Sequence, residues 1–310
     1  MPAIVTHHIF GEEASRAHDS RQDDQEVLLS FLLGSQGATP LVHAMGPGSA
    51  TRRACHELGR LMGGMSGTCD DGRLVEAIFV AREAARRLPA DDTTCGDAFA
   101  CGLAAHYLLE HDTQPFIRAQ VGDLVDVDES LELLEPEVAA LIEADLDSWV
   151  LWEARQLAID ETTVATHLAR TDRVERIGGV ILSAVASEVY GIDLRPKDYE
   201  ASLVWTERVY AYVDQAHPKA PGLAHRVADT VHPNPKIWSL SHRGSSGENC
   251  AAANPDCHEW FDACIDTVRH ESFGDLFYLA LERWPKVKDA FAAGDRDRFG
   301  QAVAAVVPLS

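Results

Sequence analysis

Basic residues are scarce: 27 Lys plus Arg stand against 49 Asp plus Glu in 310 residues, giving a formal net charge of -22 with histidine neutral. Binding to phosphate backbones needs a basic face, which speaks against a general nucleic-acid binder. Attachment to an anionic membrane by charge is disfavoured in the same way. Long apolar runs are also missing. The longest, Ala98 to Leu109, is broken by Gly102 and His106 and falls short of the ~20 residues a membrane span needs, so no integral membrane segment is expected. The opening, MPAIVTHHIFGEEASRAHDS, lacks a basic segment followed by an apolar stretch, so no secretory signal is read there. The seven cysteines form no C-x2-4-C pair, and their odd number suits a reducing compartment better than a disulfide framework. The expectation is a soluble, cytoplasmic protein. There is no P-loop, dinucleotide fingerprint or G-x-S-x-G elbow. What is present is a hydrophobic fraction of 46%, ordinary for a globular chain, and 14 histidines.

Helical periodicity dominates. It predicts helices over 72–88, 94–112, 136–158, 172–190, 196–215, 272–284 and 295–307, with Pro89 and Pro115 as stops and Pro136 in a first turn. Connections are expected at 34–49, 113–135 and 232–258, and strand-like alternation is rare. The fold class this implies is all-α: a helical bundle over 1–190 with a helical C-terminal part, 191–310, packed on it or continuous with it.

Three places carry candidate chemistry. Thr6 is a plausible N-cap that puts His7 and His8 in a first helical turn, where adjacent residues cannot both face inward. His106 and Glu110 lie at i and i+4 on an apolar helix, the spacing of either a metal-binding pair or a buried histidine satisfied by its neighbour. His111 falls off that face. Glu143 and Asp147 share a face of the 136–158 helix, as metal ligands or as an acidic stripe. Cys250, Cys257 and Cys264 are spaced by seven, and Cys257 and Cys264 read as core thiols.

These pieces occur in an order that resembles the bacterial zinc-dependent phospholipase C-like family over most of the chain. The segments are MPAIVTHHIFGEEA, FLLGSQGATP, FACGLAAHYLLEHDTQPF, EVAALIEADLDSWVLWE and CHEWFDACIDTVRHESFGDLFYLAL. The resemblance implies an all-α fold in which zinc ions held between helices serve phosphodiester hydrolysis. It places His8 at an N-terminal ligand position with His7 beside it. It places His106 at the His of an H-Y-x-L-D helix, Glu110 where that pattern has Asp, and Glu143 at the Glu of an H-x-x-x-E pair.

Other positions depart from the pattern. Thr39 stands where the family has an Asp, and Gly63, Gln114 and Ala139 stand where it has histidines. His43, His56 and His111 lie near the lost positions as replacement ligands. Four residual ligands (His8, His106, Glu110 and Glu143, with His7 and His111 as lesser candidates) suffice for one zinc ion, not a cluster. Two readings follow. One is a reduced-site hydrolase acting on a small phosphodiester or phospholipid head group. The other is a catalytically inactive family member with a binding or regulatory role. A third, bland reading makes His106, Glu110 and Glu143 a structural polar network.

Overall fold

A computed structural model describes residues 4–16, 24–44, 48–63, 72–213, 242 and 250–305. The chain is all-α. The described helices are α1 (Ile4–Arg16), α2 (Gln25–Ser35), α3 (Ser49–Met62), α4 (Gly72–Arg86), α5 (Ala90–Val127), α6 (Glu135–Arg155), α7 (Asp172–Tyr190), α8 (Pro196–Val213), α9 (Phe273–Ala293) and α10 (Arg296–Ala304). A hairpin of two three-residue strands, β1 (Trp260–Asp262) and β2 (Thr267–Arg269), pairs antiparallel, with Phe261 opposite Val268. One hydrophobic cluster runs from Ile4 to Val303 and draws on both ends of the chain. No helix among the described residues is long and apolar enough to cross a membrane.

The central element is α5, whose 38 residues pass straight through Pro115 instead of ending before it. Proline inside a helix costs about 3 kcal/mol, because its ring removes an N–H and crowds the preceding turn. Packing offsets that cost here. Phe116, the next residue, is fully buried, with its ring 5.3 Å from Trp260 and 6.3 Å from Phe273. Burying one such side chain is worth about 1.5–3 kcal/mol. The expected 113–135 connection therefore shrinks to a 3-10 turn at Glu129–Leu134. In the same way α9 runs on through Pro285 to Ala293.

Two glycines let α2 lie against α5 at backbone distance. A Cβ on Gly34 would stand 2.1 Å from the Phe99 carbonyl oxygen, and one on Gly102 would stand 2.2 Å from that of Phe31. Only glycine permits both approaches. The α2–α5 pair thus fixes the loop after α2 over the middle of α5.

Helix α1 begins at Ile4, before Thr6, so Thr6 is not its N-cap. The cap is supplied from α6. The buried Asp147 carboxylate accepts from the backbone N–H of Val5 at 3.1 Å and of Thr6 at 2.8 Å, and from the Thr6 hydroxyl at 2.6 Å. A carboxylate at a helix N-terminus satisfies orphan donors and complements the helix dipole. Asp147 is therefore a capping residue that orients α1.

The cysteine expectations are corrected. Cys257 is exposed, in a left-handed turn at φ 53°, and Cys264 is disulfide-bonded, so neither is a core thiol.

Candidate metal centre

His7 points into the protein from the first turn of α1, and His106 and Glu110 point toward it from α5. Each offers one ligand atom, and the three atoms lie within 4.8 Å of one another. The His7 and His106 rings are 4.3 Å apart, and His7 Nε2 lies 2.8 Å from Glu110 Oε1. The triad forms because α1, capped by Asp147, crosses α5 at the level where the i, i+4 pair faces inward.

The last residue of α2 and the loop after it brace both histidines. The Ser35 hydroxyl donates to the His7 carbonyl at 3.2 Å, and the Ser35 carbonyl accepts from His106 Nδ1 at 3.1 Å. Gln36 Nε2 donates to the Ile4 carbonyl at 3.1 Å. Gly37, at φ 62°, lies against the His106 ring: a Cβ there would be 2.4 Å from Nε2, 2.5 Å from Cδ2 and 2.6 Å from Cε1. The GSQG segment thus seats the imidazole from one side while His7 lies on another.

Donation from Nδ1 to a backbone carbonyl fixes the tautomer of His106 and leaves Nε2 with its lone pair, the usual arrangement of a metal-ligating histidine. That Nε2 is buried without a hydrogen-bond partner among the described residues, as are His7 Nδ1 and Glu110 Oε2. Orphaned buried polar atoms are rare and costly, and three in one triad fit a ligand that completes them. Electrostatics agree. Burial, with His7 adding to it, pushes His106 down to about 3, so it stays a neutral ligand at neutral pH. Burial raises the Glu110 carboxyl, but the contact with His7, chiefly its hydrogen bond, brings it net below its ordinary value, so it stays ionised. Two histidines and one glutamate are a donor set that could hold one divalent metal ion.

The other expected ligands lie elsewhere. His8 turns out of the triad: its Nε2 is 3.5 Å from Glu12 Oε1, and its ring meets His167 edge-on at 4.9 Å. The hydrogen bond with His8, aided by Arg155 and opposed by burial, lowers the Glu12 carboxyl to about 2. Glu143 is buried and accepts from Gln114 Nε2 at 3.2 Å. His111 is held at Nδ1 by Asp112 at 3.0 Å. Thr39 is buried in the 3-10 turn Thr39–His43. His56 is tied to the Ala44 carbonyl at 3.1 Å, and His43 packs edge-on against Tyr210 at 5.9 Å, so neither joins the triad. The sequence named His7 as the lesser of its pair. The signal that separates the two is α1 starting at Ile4, which rotates His7 inward.

Beside the triad lies a cavity of about 280 Å3, walled by His106, Glu110, Gln114, Arg118, Arg269 and Arg283, among others. No protein-family model, curated protein or solved structure matches the chain. The functional reading rests on this geometry and on the sequence motifs.

Proposed function

We propose that the protein is a zinc-dependent phosphodiester hydrolase of the phospholipase C-like type, reduced to a single ion held by His7, His106 and Glu110. The observation that carries this reading is the convergence of those three ligand atoms with three orphaned polar atoms beside a cavity. When bound, zinc supplies Lewis acidity toward a phosphoryl oxygen and acidifies water. The chain's own residues do the rest. Ser35 and Gly37 hold the His106 ring in its ligating tautomer and orientation. The His111–Asp112 pair is an imidazole oriented by a carboxylate, the arrangement suited to accept a proton during attack on phosphorus. Glu143 reaches the cavity wall through Gln114 and orients its amide. A second reading, binding without hydrolysis, is favoured by Thr39, whose hydroxyl replaces an acidic group.

The test is the metal content of protein purified without chelator, together with hydrolysis of bis(p-nitrophenyl) phosphate. The expected result is one zinc per chain, kept in His8→Ala and lost in His7→Ala, His106→Ala and Glu110→Gln, with hydrolysis following the zinc. Metal-free protein whose melting is unchanged by chelator overturns the reading. Zinc without hydrolysis selects the binding protein.

A further inference from the structure

Three arginines line the cavity, and two of them are spent. Arg283 Nη1 lies 2.7 and 2.8 Å from the two Asp112 oxygens, and its Nη2 donates to the Val303 carbonyl. Arg269 pairs with Asp262 at 3.1 Å and with Glu271 at 3.0 Å. The third, Arg118, is half-buried and has one polar contact among the described residues, Nη2 to Cys264 Sγ at 3.3 Å. That sulfur is in a disulfide and carries no charge to offset the guanidinium. Every lining carboxylate already has a partner: Glu110 has His7, Asp112 has Arg283, and Asp262 has Arg269. An arginine without an anion among the described residues is out of place in a chain of charge -22, where carboxylates are plentiful.

Its position is specific. Glu110, Gln114 and Arg118 follow at i, i+4 and i+8, so they share one face of α5, spread along about 12 Å of helix axis. Helical side chains lean toward the N-terminus, which tilts Arg118 back toward the triad. The guanidinium fork matches two oxygens of a phosphate and keeps its charge at any working pH.

We propose that Arg118 is a phosphate receptor: it takes two oxygens of an anionic phosphate group on the molecule that fills this cavity. The inference deepens the hydrolase reading by naming the group that orients the substrate, and it rests on that reading for the chemistry alone. Phosphate binding by Arg118 does not need the ion.

Calorimetric titration with inorganic phosphate, on zinc-loaded and on chelator-treated protein, tests it. The wild type is expected to bind phosphate. Arg118→Gln should weaken that binding at least tenfold, with zinc content and melting temperature unchanged, and Arg118→Lys should fall between the two. His106→Ala should lose zinc and keep Arg118-dependent phosphate binding, so a failed metal site does not conceal a working receptor. Competition with monomeric short-chain phosphatidylcholine identifies the source: displacement of phosphate marks a lipid head group, and no displacement marks a free phosphate or a small ester. Equal phosphate affinity in wild type and Arg118→Gln, or no binding by the wild type at millimolar phosphate, overturns the proposal.

Discussion

Glu110 and Asp112 sit two residues apart on α5, both withdrawn from solvent, and they are held in opposite ways. Asp112 meets Arg283 through both of its oxygens, within 2.8 Å, and accepts from His111 as well. Glu110 has one oxygen on His7 and the other without a partner, beside two histidine nitrogens in the same condition. In the first arrangement the carboxylate is fully met, though Arg283 Nε has no partner among the described residues, and a buried pair of that kind anchors structure. The second is a set of donors for something else. The difference teaches that burial and charge do not by themselves mark a site in this chain; incomplete satisfaction gathered on converging donors does.

The comparison is broken most strongly at its finished end. Arg283→Met leaves the buried Asp112 carboxylate with only its His111 contact, which costs about 3–5 kcal/mol, and a denaturant midpoint should show it. Removing a partner from the Glu110 triad should cost much less in metal-free protein, because that network is already incomplete. A loss at Arg283 no larger than that of Glu110→Gln would erase the distinction. Next comes Gly37→Ala, which places a methyl 2.4 Å from His106 Nε2 at a φ of 62°. The expected loss is about 1–3 kcal/mol together with loss of zinc. Normal zinc uptake in this variant would show that the loop does not seat the imidazole.

The smallest effect is in pH. His43 has an orphaned Nε2 like that of His106, and burial pushes it down to about 4 from an ordinary 6.5. Unfolded, it takes up a proton near 6.5; folded, it does so only near 4. Between these values the unfolded chain binds more protons, so stability falls as pH falls through the window. Each unit costs up to about 1.4 kcal/mol. His43→Asn should therefore lose about 1–2 kcal/mol less than wild type between pH 7 and pH 5 in chelator-treated protein. Parallel pH curves would place His43 in contact with solvent. The Glu12 carboxyl, near 2, responds below this window and does not confuse it.

The helices were legible because amphipathic periodicity is local. α4, α7 and α8 begin at residues 72, 172 and 196, where the sequence put them. His106 and Glu110 were legible for the same reason, since i, i+4 geometry depends only on the helix. The continuation through Pro115 was not, because the packing of Phe116 on Trp260, which offsets the proline, comes from 144 residues away. The choice between His7 and His8 was hidden as well, because it turns on a cap that Asp147 supplies from α6. The bracing of His106 by Ser35 and Gly37 needed the contact of α2 with α5, which two glycines allow but do not announce.

The cap on α1 has a consequence for how the protein is made. His7 meets Glu110 across 103 residues, and Asp147 reaches Val5 across 142. Closing loops that long is slow compared with forming any one helix. Early in synthesis the chain carries His7 alone, a single weak donor; α5 later adds a pair, and only the docking of α1 under α6 brings the three together. Under the proposed function, metal capture would be deferred until α1 has docked on α5 and α6, so occupancy of the triad would be a chemical record that those elements have come together.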